Sequence, residues 1–205
     1  MNGTVAITDH GWYEFLLARD ALDEVNFWTP SAHWGFKGEV GAPFFFKLKA
    51  RYDHAICGFA HFARYSRLPD WLAWETFGVK NGCPTLDAMR ERIGGIRALI
   101  DYRAQSPSNE IGCILLAQPT FFHPDDWVTG PRDWPPANLR HKRYDLTVGE
   151  GRRLWEECLA RVKARQTNLV DRQPLLVRED SPRYGTPQLV APRLGQGIFR
   201  VAVMD

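Results

Sequence analysis

Apolar residues along the chain group into runs of two kinds. FFFKLK (44–49) and HAICGFAHFAR (54–64) are apolar at almost every position or at every second one, which predicts two strands, Phe44 to Leu48 and His54 to Arg64. Arg51, Tyr52 and Asp53 then form a hairpin loop between them. Gly58, inside the second run, predicts a bulge or a close backbone approach. EIGCILLA (110–117) predicts a buried strand, which FFHPDDW (121–127) extends or follows.

Elsewhere the apolar positions recur every three or four residues and predict helices. Asp9 caps a short helix over 10–19 with Trp12, Phe15 and Leu16 inward. Pro69-Asp70 opens a second that ends at Gly78, and Asn81-Gly82 makes a turn. Pro84-Thr85 opens a third that reaches about residue 103, weakened at Gly94-Gly95, with Leu86, Met89, Ile93, Ile96 and Ile100 inward. Thr147 caps a fourth, about 148–165, with Leu154, Trp155, Cys158, Leu159 and Val162 inward. Segments 23–43 and 130–141 read as loops, the first too long and too aromatic for a plain connector. Beyond Gln166 the pattern fades, which predicts a domain over 1–165 and a linker over 166–205. The expected class is α+β: a small, curved, barrel-like sheet flanked by helices.

Composition sharpens this picture in one respect. Eight Trp, twelve Phe and six Tyr in 205 residues exceed the needs of a core of this size, so some rings are expected to line a pocket. The net charge of +2 decides little, but its distribution is uneven. Residues 132–172 hold ten Lys or Arg against six acids, a balance that suits a polyanion or an ion-paired helix face. The four cysteines are widely spaced, unlike the paired ligands of a structural zinc site, and Cys57 and Cys113 read as buried thiols. No apolar run approaches the roughly 20 residues of a membrane span. With no signal-peptide pattern, no membrane is expected as a partner and a cytoplasmic location is. GxSxG, Walker A, GxGxxG and HExxH patterns are all missing from the sequence, so no catalytic residue or cofactor is assigned. The pair Asp125-Asp126 leaves open a metal-dependent hydrolase.

Several phrases together carry a family resemblance. They are EVNFWTPS (24–31), PFFFKLK (43–49), HAICGFAHFARYSRLP (54–69), AWETFG (73–78), EIGCILL (110–116), DDW (125–127) and YDLTVGEGRRLW (144–155). The chain resembles the PUA-like front domain of bacterial HNH endonucleases, related to the EVE, YTH and SRA readers. YGTPQLVAPRLGQGIFRVAVMD (184–205) is similar to the connector that leads into the nuclease. The sequence ends at Asp205, before any HNH motif, so the resemblance implies no catalytic residue here. A divalent metal is implied only for the HNH part, and a homodimer only for the full-length parent. The implied function is recognition of a modified base in double-stranded DNA, 5-methylcytosine or 5-hydroxymethylcytosine, flipped into an aromatic pocket. A reader of RNA or of another nucleotide ligand is the alternative.

Residue chemistry nominates the site. Trp28 can stack on a base and Asn26 can donate and accept at its edge, or both belong to the core. Phe27, Trp34 and Phe36 are candidate walls. Asp125 and Asp126 can accept from cytosine N4 beside Trp127. Lys47 and Lys49 share a strand face, toward phosphate or solvent. Arg64 and Arg67 close the second strand, and Arg140, Lys142 and Arg143 form the densest basic cluster.

Overall fold

The computed structural model describes residues 1–19, 22–32, 35–99, 109–135 and 140–171. Strand β1 (Asn2–Ile7) opens the chain, and its alternation turns Val5 to one face and Ala6 to the other. Helix α1 (His10–Leu17) follows. The Trp12 amide donates to Asp9 Oδ1 at 3.0 Å, so the expected cap is in place. Then come β2 (Glu24–Thr29), β3 (Pro43–Lys47), β4 (Ile56–Pro69), α2 (Asp70–Phe77), α3 (Leu86–Leu99), β5 (Glu110–Phe121), β6 (His141–Asp145) and α4 (Gly149–Asp171).

The protein is a mixed α+β fold with a six-stranded sheet in the order β2-β5-β4-β3-β1-β6. Neighbours are antiparallel except β1 and β3, which run parallel. The sheet is open, with β2 and β6 at its edges, and is not a closed barrel. Both faces of its central strands are covered. On one face Phe44, Phe46, Ala60, Phe62, Val25 and Leu116 pack under Trp12, Tyr13 and Leu16 of α1. The other face holds two cores side by side. Ile111, Cys113 and Leu115 pack against Ala73, Phe77, Met89 and Ile93 of α2 and α3. Val5, Phe45, Phe59 and Phe122 pack against Leu154 and Cys158 of α4. All four cysteines are free and buried.

Three strands were not foreseen. β2 lies inside the segment read as a loop, because turn formers on either side hide a six-residue stretch that becomes a strand by pairing with β5. β6 carries only Tyr144 inward and otherwise reads as a basic cluster; backbone pairing with β1 makes it an edge strand. β1 is too short and mixed to stand out before its partners are known. The second predicted strand begins at Ile56 and runs on to Pro69, while His54 sits in a turn with φ of 56° beside Asp53 at 53°. Residues 121–127 finish β5 and then form a 3-10 turn over Pro124–Asp126. Thr147 does not cap α4; its hydroxyl and amide both donate to Asp145 Oδ1 in the preceding turn. The helix itself continues to Asp171, past the expected end near 165.

Gly58 behaves as the sequence suggests. A Cβ there would stand 2.3 Å from the Thr120 carbonyl oxygen, so β4 and β5 approach more closely than any side chain permits. The register of β3 on β4 slips at this point, where Phe46 faces Gly58 but Lys47 faces Ile56, and β4 slips on β5 just beyond it. Such bulges bend and twist a sheet.

Two buried asparagines tie β2 to the turn after α2. Asn81, fully buried after α2, donates to the carbonyls of Ala73 (3.1 Å) and Gly78 (2.9 Å) and accepts from Asn26 Nδ2 (2.9 Å). Its own carbonyl accepts from Trp28 Nε1 at 2.9 Å. Asn81→Ala is expected to lower stability by about 1–3 kcal/mol, since buried partners lose their bonds without gaining water. Urea denaturation of the two proteins measures this directly.

Candidate nucleic-acid interface

The residues nominated as a base pocket do not converge. β2 sends alternate side chains to opposite faces, so Phe27 joins the aromatic core under α1 while Asn26 and Trp28 face α2 and the Asn81 turn. Asn26 is fully buried and bonded to Asn81 and to the Cys113 thiol. Burial raises that thiol to about 12, which keeps it protonated as the ordinary donor-acceptor of a core. Trp34 lies outside the described residues. Phe36 packs on Phe62 (5.1 Å between rings), Phe44 (5.7 Å) and His141 (5.8 Å). At the other end of the sheet, Trp127 donates to the Tyr13 hydroxyl at 3.0 Å, and Tyr13 in turn donates to the Phe122 carbonyl. Asp126 is clamped by Arg165 at 3.2 Å on α4, and Asp125 is exposed beside it.

The basic candidates divide as well. Strand β3 ends at Lys47 and Lys49 opens the next turn, so the strand alternation that would give the two lysines a shared face does not reach Lys49. Lys49 is exposed at the start of the next turn, whereas Lys47 is only 1% exposed. Its ammonium meets His54 Nδ1 at 3.0 Å and the Leu48 carbonyl at 3.3 Å, and lies 4.6 Å from the centre of the Trp134 ring. Burial pulls its pKa below the usual lysine value, because the charged form loses hydration. Arg64 is half-buried and Arg67 exposed on β4. Lys142 is neutralised by Asp133 at 2.6 Å. Arg140 and Arg143 are exposed on and beside β6, the outer strand of the sheet.

Arg143 lines a concavity at this edge of the sheet. It faces Thr4 across the β1–β6 pair and donates to the Lys37 carbonyl, bringing the 37–39 segment against the sheet edge. Asn2, Gly3, Thr4, Lys37, Gly38, Glu39, Ala42 and Arg143 enclose a shallow cavity of about 190 Å³. Its outer wall is pinned in place. The Gly41 amide donates to the Phe62 carbonyl (2.7 Å), Phe62 returns a bond to Ala42 (2.9 Å), and Gly38 lies close against the Phe36 and Phe62 rings. The lining pairs two cations with one carboxylate, and His141 stands next to Arg143 on β6. Partial burial, then Arg143 and Arg140, lowers the pKa of that imidazole, so it is neutral at pH 7 and can donate or accept. Of the nominated residues only Arg143 lines this cavity. Asn2, Thr4, Lys37 and Glu39 were missed because they come from a strand and a loop that meet only when β1 and β6 pair. The single signal available was the Lys37-Gly38-Glu39 turn within an oddly aromatic segment.

No family model and no curated protein matches the chain. Among solved structures it is similar to a mutant form of ZmASCH from Zymomonas mobilis, with a TM-score of 0.46 and 10% identity over 75% of this chain and 96% of that one. A likeness at that score and identity says nothing about ligand or activity.

Lys47 yields a prediction with a definite sign. Its pKa in the folded state lies below the ordinary 10.5, so between that lowered value and 10.5 the unfolded chain binds more protons and stability rises with pH. Below the lowered value the buried charge is a standing cost. Lys47→Met is therefore expected to show its greatest relative gain in stability at low to neutral pH, shrinking as pH nears 10.5. Denaturation of both proteins from pH 6 to about 10 checks the slope.

Proposed function

We propose that this domain binds nucleic acid and takes one unstacked base into the cavity between β1, β6 and residues 37–39. The observation that carries the reading is the cavity itself, with Lys37 and Arg143 on its wall and Arg140 exposed alongside. Its volume of about 190 Å³ falls below the roughly 300 Å³ at which drug-sized sites begin, so it suits one planar ring. Arginine offers five donors in a fixed fork; one bond to Lys37 leaves others for a phosphate at the cavity mouth. The sequence resemblance supplies the finer reading: a PUA-like domain that recognises 5-methylcytosine or 5-hydroxymethylcytosine in duplex DNA for an HNH endonuclease. An open, bulged sheet with helices on both faces supports it. Extruding a base costs a few kcal/mol, which enclosure and edge hydrogen bonds must offset.

The test is a titration into matched duplexes carrying cytosine, 5-methylcytosine, 5-hydroxymethylcytosine or N6-methyladenine at about 150 mM salt, where non-specific phosphate binding is weak. Tighter binding to a 5-modified cytosine duplex is expected. Arg140→Ala should weaken all four duplexes alike and reduce the slope of log affinity against log salt by about one. Equal weak binding to the four, with single-stranded RNA bound more tightly, would turn the reading toward RNA.

A further inference from the structure

The cavity holds one acceptor-only group, and its position suggests what the site selects. Glu39 is the sole carboxylate among the lining residues; the other side chains with polar groups are two amide or hydroxyl groups, Asn2 and Thr4, and two cations. The segment that carries it is fixed on both sides. Ahead of it, Gly38 is wedged against Phe36 and Phe62. Behind it, the Ala42 amide donates to the Glu39 carbonyl at 3.0 Å, and Gly41, with φ of 83°, is bonded to β4. The exposed side chain thus projects from a rigid turn.

An ionised carboxylate only accepts hydrogen bonds. Cytosine presents an N4 amine donor where thymine presents the O4 acceptor, and adenine presents N6 in the same way. Thymine in this place sets two acceptors against each other, which forfeits the hydrogen bond. We infer, on the basis of the base-binding reading above, that Glu39 is the specificity residue of the cavity: it accepts from the exocyclic amine of the bound base and rejects the carbonyl analogue. The carboxylate role that the sequence assigned to Asp125 and Asp126 then falls to Glu39.

Thymine is the direct probe, since it is 5-methylcytosine with the amine replaced by oxygen and the methyl group kept. Two duplexes are compared, one with 5-methylcytosine opposite guanine and one with thymine opposite the same guanine. The mismatched thymine is the easier base to extrude. Preference for the methylcytosine duplex therefore reports the edge contact and not the cost of flipping. The wild-type protein is expected to favour it about tenfold or more. Glu39→Gln, whose amide can turn either a donor or an acceptor to the base, should bring the ratio near one with the folding transition unchanged. A wild-type ratio near one, or a ratio that survives Glu39→Gln, overturns the role of Glu39 while leaving base binding in the cavity standing. No binding of either duplex, even at low salt, overturns both.

Discussion

The architecture rests on burying both faces of β3, β4 and β5 at once. All five residues of β3, PFFFK, are buried: Phe44 and Phe46 toward α1, Phe45 toward α4. A strand with no solvent face needs cover on each side, and the chain provides it with one helix above and three below. Aromatic rings do most of the filling. Trp12 meets Phe27, Phe46 and Phe121 edge to face at 5.2–5.8 Å, while Phe45 and Phe59 meet Trp155 beneath the sheet. The surplus of rings noted in the sequence is thus absorbed largely by a three-part core and not by a ligand cage.

That demand pushes function to the rim. Where central strands are sealed, polar side chains favour the edges or tied pairs. Asn26 and Asn81 are the tied case. Lys47 is a costlier one, a lysine held against His54 and Trp134. The outer strand β6 is the edge case. Basic residues along an edge strand discourage pairing with a second sheet, and the same residues offer donors to a polyanion. The cavity forms there between β1 and the 37–39 segment, which is pinned by Arg143 and by the Phe62 backbone.

The bulges at Gly58 and beyond bend the sheet without turning β3 over. Lys47 continues the alternation of β3: it follows Phe45 to the α4 side, while Phe44, Phe46 and Leu48 share the α1 side. The extra residue belongs to β4: Phe46 faces Gly58 and Lys47 faces Ile56, which leaves Cys57 unpaired between them. Alternation along PFFFK is regular, and what the pattern could not show is that both faces are covered there, so that Lys47 is buried.

The helices and the apolar strands were legible in the amino-acid sequence, because a 3.6-residue or two-residue period is a local property of the chain. Asp9 as a cap, Gly58 as a close approach, Asn81-Gly82 as a turn and the buried thiols of Cys57 and Cys113 were legible for the same reason. Strands β1, β2 and β6 were not. Their hydrogen-bond partners lie far along the chain, and β6 carries little apolar signal of its own while turn formers hide that of β2. The candidate site was legible in one residue of eight, Arg143. Asn2, Thr4, Lys37 and Glu39 gain a shared purpose only when the first strand of the chain lies between β3 and β6, a contact spanning some 140 residues. Sequence determines which segments seek burial; only the tertiary pairing decides which polar residues are left facing one another at the edge.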